Sequence, residues 1–185
     1  LVDLSGSTSR QVEQGRRIID IEKQGLVLLC EALTAIGDQF AVYGYSGQGR
    51  NQVDFVVVKG FDELVTGRAG AKLGGIVPLQ QNRDGAAIRH ATSKLLARQA
   101  KTRILVVIND GRPLDDGYKD DYSLEDTRMA LREARASGVE PVCITIDKQA
   151  DPYVRRMYGD VRYVVIDRVE GLPEKLPRIY HRLTA

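Results

Sequence analysis

Apolar and polar positions recur along this chain in two periods, and the switches between them mark out its elements. Leu1–Leu4 is a short apolar run that gives way to polar Ser5–Arg10, the pattern of a buried strand running out into a loop. Ile18, Ile21, Gly25, Leu28, Leu29, Ala32, Leu33 and Ile36 then follow at helical spacing, with Gly37 placed to stop the helix. Phe40–Tyr45 and Val53–Val58 are rich in β-branched and aromatic residues, and the turn-rich link 46–51 between them predicts a hairpin. Thr66–Gly75 has several glycines and no clear period, and reads as a loop. Gly85–Arg98 predicts a helix with Ile88, Ala91 and Leu95 on one face. Ile104–Ile108 is an unbroken aliphatic run of the kind buried on both sides of a sheet. Asp110–Tyr122 holds five aspartates and reads as a solvated loop. Ser123 is placed to cap a helix running to Ser137, with Asp126 where a capping box has Glu, and Gly138 ends it. A strand at Pro141–Ile146, a short helix at Asp151–Tyr158, a strand at Tyr163–Ile166 and a helix at Pro173–Leu183 complete the pattern.

Strands alternating with helices predict an α/β fold: a three-layer α/β/α, Rossmann-like domain with a mainly parallel central sheet and one antiparallel edge strand from the hairpin. The length of 185 residues fits one domain spanning 1–185. A chain that opens inside an apolar strand, with no Met, reads as a domain cut from a longer protein, and the resemblance given below implies its C-terminal part. Composition is that of a globular domain, 43% hydrophobic and 28% charged, and a net charge of +2 gives no argument for nucleic acid. Cys30 and Cys143 fall in apolar segments without a CxxC spacing, which points to buried, inert thiols. His90 and His181 sit on helices, away from strand ends. There is no apolar run long enough for membrane insertion and no visible targeting segment, so the expected location is cytoplasmic.

In open α/β sheets, ligands sit at the carboxyl ends of the strands. Three polar groups lie there: Asp3, Ser5 and Ser7 after the first strand, Asn109-Asp110-Gly111 after the aliphatic strand, and Asn82-Arg83-Asp84 before a helix. Hydroxyls and carboxylates converging on one point suit a hard cation, Mg²⁺ above all, with Mn²⁺ or Ca²⁺ as alternatives. Serines that ligate directly while aspartates act through water leave the ion much of its charge and an open position. Such an ion grips an acidic side chain of a partner. The plain alternative for the first loop is a polar turn in which a hydroxyl caps the next helix. The run Asp115, Asp116, Asp120 and Asp121 lacks EF-hand spacing and reads as solvated loop. Arg10, Arg83 and Arg112 are candidates for a basic rim that steers an acidic partner. Ser46 lacks the spacing and following helix of a nucleophile elbow. There is no P-loop for ATP.

Asp3-x-Ser5-x-Ser7 after an apolar strand, with Asp110-Gly111 after a second, resembles the metal-ion-dependent adhesion site of von Willebrand factor A (VWA) domains over essentially the whole chain. Segments 40–46, 85–91, 125–130 and 144–147 resemble more closely the C-terminal domain of the CbbO and NorD group. The resemblance implies a metal-binding, non-catalytic adaptor that partners a MoxR-type AAA+ ATPase. In the CbbO type it recruits rubisco, as part of a rubisco activase serving carbon fixation. In the NorD type it assists nitric oxide reductase maturation. The metal set implied is Asp3, Ser5, Ser7, Asn82 and Asp110, with Asn82 standing where the family usually has Thr. Rubisco is the expected client and NorD-type maturation the alternative. An enzyme of another class, an Mg²⁺-dependent hydrolase or phosphatase, is disfavoured: Ser5 stands where a dehalogenase-type phosphatase carries its second Asp, and no base maps near the metal.

Overall fold

In the computed structural model the described residues are 1–185 except 13–14, 65–66, 148–150, 167 and 185. The strands are β1 (Val2–Asp3), β2 (Val42–Gly47), β3 (Val53–Lys59), β4 (Ile104–Asn109), β5 (Glu140–Thr145) and β6 (Arg162–Val165). The helices are α1 (Ile18–Ile36), α2 (Gly67–Gly74), α3 (Asp84–Leu96), α4 (Asp120–Ala136), α5 (Asp151–Tyr158) and α6 (Leu172–Thr184). They form the expected mixed sheet in the order β3-β2-β1-β4-β5-β6. Only the edge strand β3 runs antiparallel, against β2. β1 sits centrally, with Val2 opposite Gly44 on one side and Ile108 on the other. The chain leaves β1 toward β2 on one side and later resumes at β4 on the other. This reversal places a switch point at the ends of β1 and β4.

The sheet's two faces bury two separate cores, as the period of two requires. In β4, Leu105 and Val107 pack with Ile88, Ala91, Leu131 and Met157 of α3, α4 and α5, whereas Ile108 packs with Ile18, Leu26 and Leu29 of α1 and Leu172 and Leu176 of α6. Cys143 lies in the first core and Cys30 in the second, both free, so the sheet separates the two thiols. Burial pushes the Cys30 thiol up to about 11. Gly37 ends α1 in the left-handed conformation (φ 88°), where its N–H closes onto Leu33 and Thr34 carbonyls.

Three local expectations change. Residues 67–74 form a helix rather than a loop; Thr66 lies outside the described residues. The glycines there weaken intrinsic helicity, and Leu73, buried against the α1 core, decides the outcome. α4 begins at Asp120, not after a Ser123 cap. Asp120 and Asp121 in the first turn complement the helix dipole, and the Ser123 hydroxyl donates to the Asp120 carbonyl instead. Asp115 is not solvated: it is 3% exposed and paired with Arg83. His90 is exposed and packs edge-on against Phe55 at 4.5 Å, away from the strand ends. An open groove of about 720 Å³ lies at the amino ends of the parallel strands, lined in part by Leu1, Val42, Leu105 and Leu33, and none of the candidate site residues touches it.

Candidate metal centre

β1 ends at Asp3, and the chain enters a single 3-10 turn, Gly6–Ser9. Asp3 Oδ1 accepts from Ser5 N at 2.7 Å, which folds the serine loop back over the strand end. Ser5 Oγ and Ser7 Oγ are 2.8 Å apart, and Ser7 Oγ donates to Asp110 Oδ1 at 2.7 Å. A hydroxyl has one proton; Ser7 gives its own to Asp110, so the Ser5 hydroxyl donates to Ser7. Thr8, fully buried, ties the turn by donating to the Ser5 carbonyl at 2.7 Å. Backbone bonds from Leu79 N to Leu4 O and from Gly6 N to Gln80 O, both 2.6 Å, fasten the third loop against the first.

Asn82 completes this network in a particular way. Its Nδ2 donates to Asp3 Oδ2 at 2.7 Å, and its Oδ1 accepts from Leu114 N at 2.8 Å. Its side-chain oxygen is therefore engaged with the β4–α4 loop, and its amide braces Asp3. Asp3, Ser5, Ser7, Asn82 and Asp110 thus form one hydrogen-bonded chain drawn from three loops. Among the rim candidates, Arg10 and Arg112 are exposed. The Arg10 charge acts on Asp110, and the Arg112 guanidinium stacks over Tyr153 at 4.5 Å. Arg83 departs from expectation: it is 8% exposed, paired through Nε with Asp115 and stacked over Tyr118 at 4.8 Å. Burial opposes the charge on Asp115, but donors from Gly49 N and Arg83 outweigh it and hold its pKa below the ordinary carboxylate value. Arg83 therefore clamps loops together and is not a free surface cation.

The electrostatics point inward. Asp3 is 1% exposed, and burial first, then the charges of Asp84 and Asp110, push its pKa well above the ordinary value. Burial also raises Asp110, whose Oδ2 is buried without a hydrogen-bond partner. Asp84, fully buried, is raised to about 7, chiefly by burial, although the Tyr45 hydroxyl donates to it at 2.9 Å. Below it, Asn109, Thr145 and Tyr158 exchange buried side-chain hydrogen bonds. Behind it, Gly85 N donates to the Tyr118 hydroxyl at 3.2 Å, which donates to Asp126 Oδ2 at 2.7 Å. A Cβ on Gly85 would land on that Asp126 carboxylate. Repelling carboxylates, an unanswered Asp110 oxygen and two convergent hydroxyls fit a hard divalent cation. Among the described residues, no three His, Cys, Asp or Glu side chains could hold an ion by themselves, so such a site depends on Ser5 and Ser7.

Sequence reasoning passed over one group. Glu22 lies on the buried stripe of α1 with Ile18, Ile21, Gly25 and Leu26 and is fully buried. Its place in an i, i+4 ladder of apolar residues was the available signal.

The family described as the cobalamin biosynthesis protein CobT VWA domain matches residues 66–183. An uncharacterised Pseudomonas aeruginosa protein is 42% identical over 184 residues, 99% of this chain and 30% of that protein. Protein NorD of Brucella melitensis is 35% identical over 184 residues, 99% of this chain and 29% of NorD. The chain thus spans about 30% of the length of these curated relatives. Among solved structures, proximal thread matrix protein 1 from the mussel byssus, with a zinc-occupied metal-ion-dependent adhesion motif, superposes with a TM-score of 0.68 at 15% identity. It covers 96% of this chain and 46% of that one, a likeness of fold. No helix among the described residues is long and apolar enough to cross a membrane.

Proposed function

The chain belongs to the CobT VWA domain family, in the CbbO/NorD group, and from that premise we propose that it is a metal-dependent protein-binding adaptor. The observation that carries this reading is the hydrogen-bonded set Asp3–Ser5–Ser7–Asp110, whose unpartnered Asp110 Oδ2 and repelling carboxylates call for a cation. Ser5, Ser7 and Asp110 would hold Mg²⁺, Asp3 would orient the serine loop, and Asn82 would brace Asp3. A bound divalent ion supplies Lewis acidity toward an incoming carboxylate from a partner Asp or Glu. Arg10 and Arg112 at the surface favour acidic partners in the same direction. Leu79 and Leu114, 40% and 56% exposed on the loops fastened to the site, give the rim an apolar component.

Both histidines lie on helices, His90 on α3 and His181 on α6, and not among the side chains of the site, which favours binding over hydrolysis. NorD is among the similar relatives, so we adopt the NorD-type accessory role, in nitric oxide reductase maturation with a MoxR-type AAA+ ATPase, over rubisco recruitment. The domain would then act in the cytoplasm as one part of a longer protein.

The test is retention of purified candidate partners on immobilised protein, with Mg²⁺ or with EDTA. Wild type retains its partner only with the metal, and Asp3→Ala loses retention while its circular dichroism stays native. Retention that survives both the substitution and chelation overturns the reading. Retention of rubisco in place of a nitric oxide reductase component restores the CbbO-type client.

A further inference from the structure

Glu22 has no structural reason to be where it is. It is fully buried in the middle of α1, and neither carboxylate oxygen has a hydrogen-bond partner. Its neighbours in the helix stripe are aliphatic residues or glycine. Among the described residues no cation pairs with it; the charges that act on it are those of Asp110 and Asp3. α1 is also fastened to the metal loop, because Ile18 N, one turn before Glu22, donates to the Arg10 carbonyl at 3.1 Å. The helix is thus anchored beside the metal loop, and the buried Glu22 carboxyl lies within electrostatic reach of Asp110 and Asp3. Asp110 Oδ2, the other buried carboxylate oxygen without a partner, belongs to that pair.

We propose that Glu22 is a positioning residue of the cation site, acting on the ion through a bound water held between its carboxylate and the free oxygen of Asp110. The proposal rests on the metal-binding reading above. Glu22 is not one of a cage of acidic ligands: no three acidic side chains among the described residues could hold one ion together. A buried carboxylate with no donor is tolerated in a fold when it serves a ligand, and leucine there would serve the α1 core better. Groups that orient a metal shell from behind change affinity by about 10- to 100-fold when removed.

The experiment is isothermal titration of Mg²⁺ into the wild-type protein and into the Glu22→Gln, Glu22→Leu and Asp3→Ala variants, with thermal melts of each in EDTA. Glu22→Gln keeps the volume and removes the ionisable carboxyl. The expected result is Mg²⁺ affinity reduced about tenfold or more in both Glu22 variants, with metal-free melting at or above wild type. Mg²⁺ affinity unchanged in Glu22→Gln, with binding lost in Asp3→Ala, overturns the role of Glu22 and leaves the metal site standing. Absence of Mg²⁺ binding in wild type overturns the metal reading itself, and this proposal with it.

Discussion

Asp84 carries a hydrogen bond from Tyr45 and is still raised from 3.8 to about 7, because it is buried close to other acids. Between those values the folded chain holds a proton that the unfolded chain has lost. The stability Asp84 gains from this is complete below its unfolded pKa and is lost as pH rises through about 7. In EDTA, the Tm of wild type relative to Asp84→Asn should therefore fall as pH is raised from 4 to about 7. A gap that is flat, or that widens in favour of wild type, would contradict this account. The residue scale was partly legible from sequence. That Asp3, Ser5, Ser7 and Asp110 meet in space was readable because the loops after neighbouring parallel strands open at the same edge of the sheet. Arg83 could not: an arginine before a helix carries no sign of whether it faces water or, as here, a buried Asp115 and the Tyr118 ring. For Asn82 the residue could be found but not its orientation, since an amide can offer either end and the Leu114 N–H settles which.

At the scale of elements, the start of α3 is set by the absence of a side chain at Gly85. The helix backs onto α4 there, and the Tyr118–Asp126 bond occupies the space a methyl would take. Gly85→Ala should cost about 1–3 kcal/mol by overpacking and weaken Mg²⁺ binding, because Asn82 lies three residues upstream. Urea titration and metal titration of the same variant check both halves; a variant as stable as wild type would show that Asp126 moves aside freely. Strands and long helices could be read because their periods were unbroken. α2 and the first turn of α4 could not, because each depends on a tertiary or dipolar term: Leu73 anchored under α1, and Asp120 and Asp121 at the amino end of α4. Periodicity in residues 67–74 was hidden by glycine, and the aspartate run looked like a solvated loop.

For the molecule as a whole, the candidate site joins three loops, distant in sequence, that already hydrogen-bond to one another, so an ion bound there would add a further cross-link. Mg²⁺ at about 100 times its dissociation constant should stabilise the protein by about 2.7 kcal/mol. For a chain of this length that is a rise in Tm of roughly 5–10 °C. Asp3→Ala should show no rise, and a wild-type melt indifferent to Mg²⁺ and to EDTA would count against the site. The layered architecture and the antiparallel edge were readable from alternation alone. The sheet order, and with it the switch point between β1 and β4, came from the structure, because alternation does not say on which side of β1 each later strand inserts.

One feature of that order bears on how the protein is made. Ser7 and Asp110, joined by a hydrogen bond, are separated by 103 positions in the chain. As synthesis proceeds from the amino end, the nascent polypeptide presents Asp3, Ser5 and Ser7 long before Asp110 or the Leu114 N–H that orients Asn82 exists. The first half of the chain carries the serine loop but not Asp110, the carboxylate that accepts from Ser7. On the metal-binding proposal, metal capture would be deferred until β4 has been translated and inserted beside β1, so that only a chain with its central sheet assembled would load its ion and engage a partner.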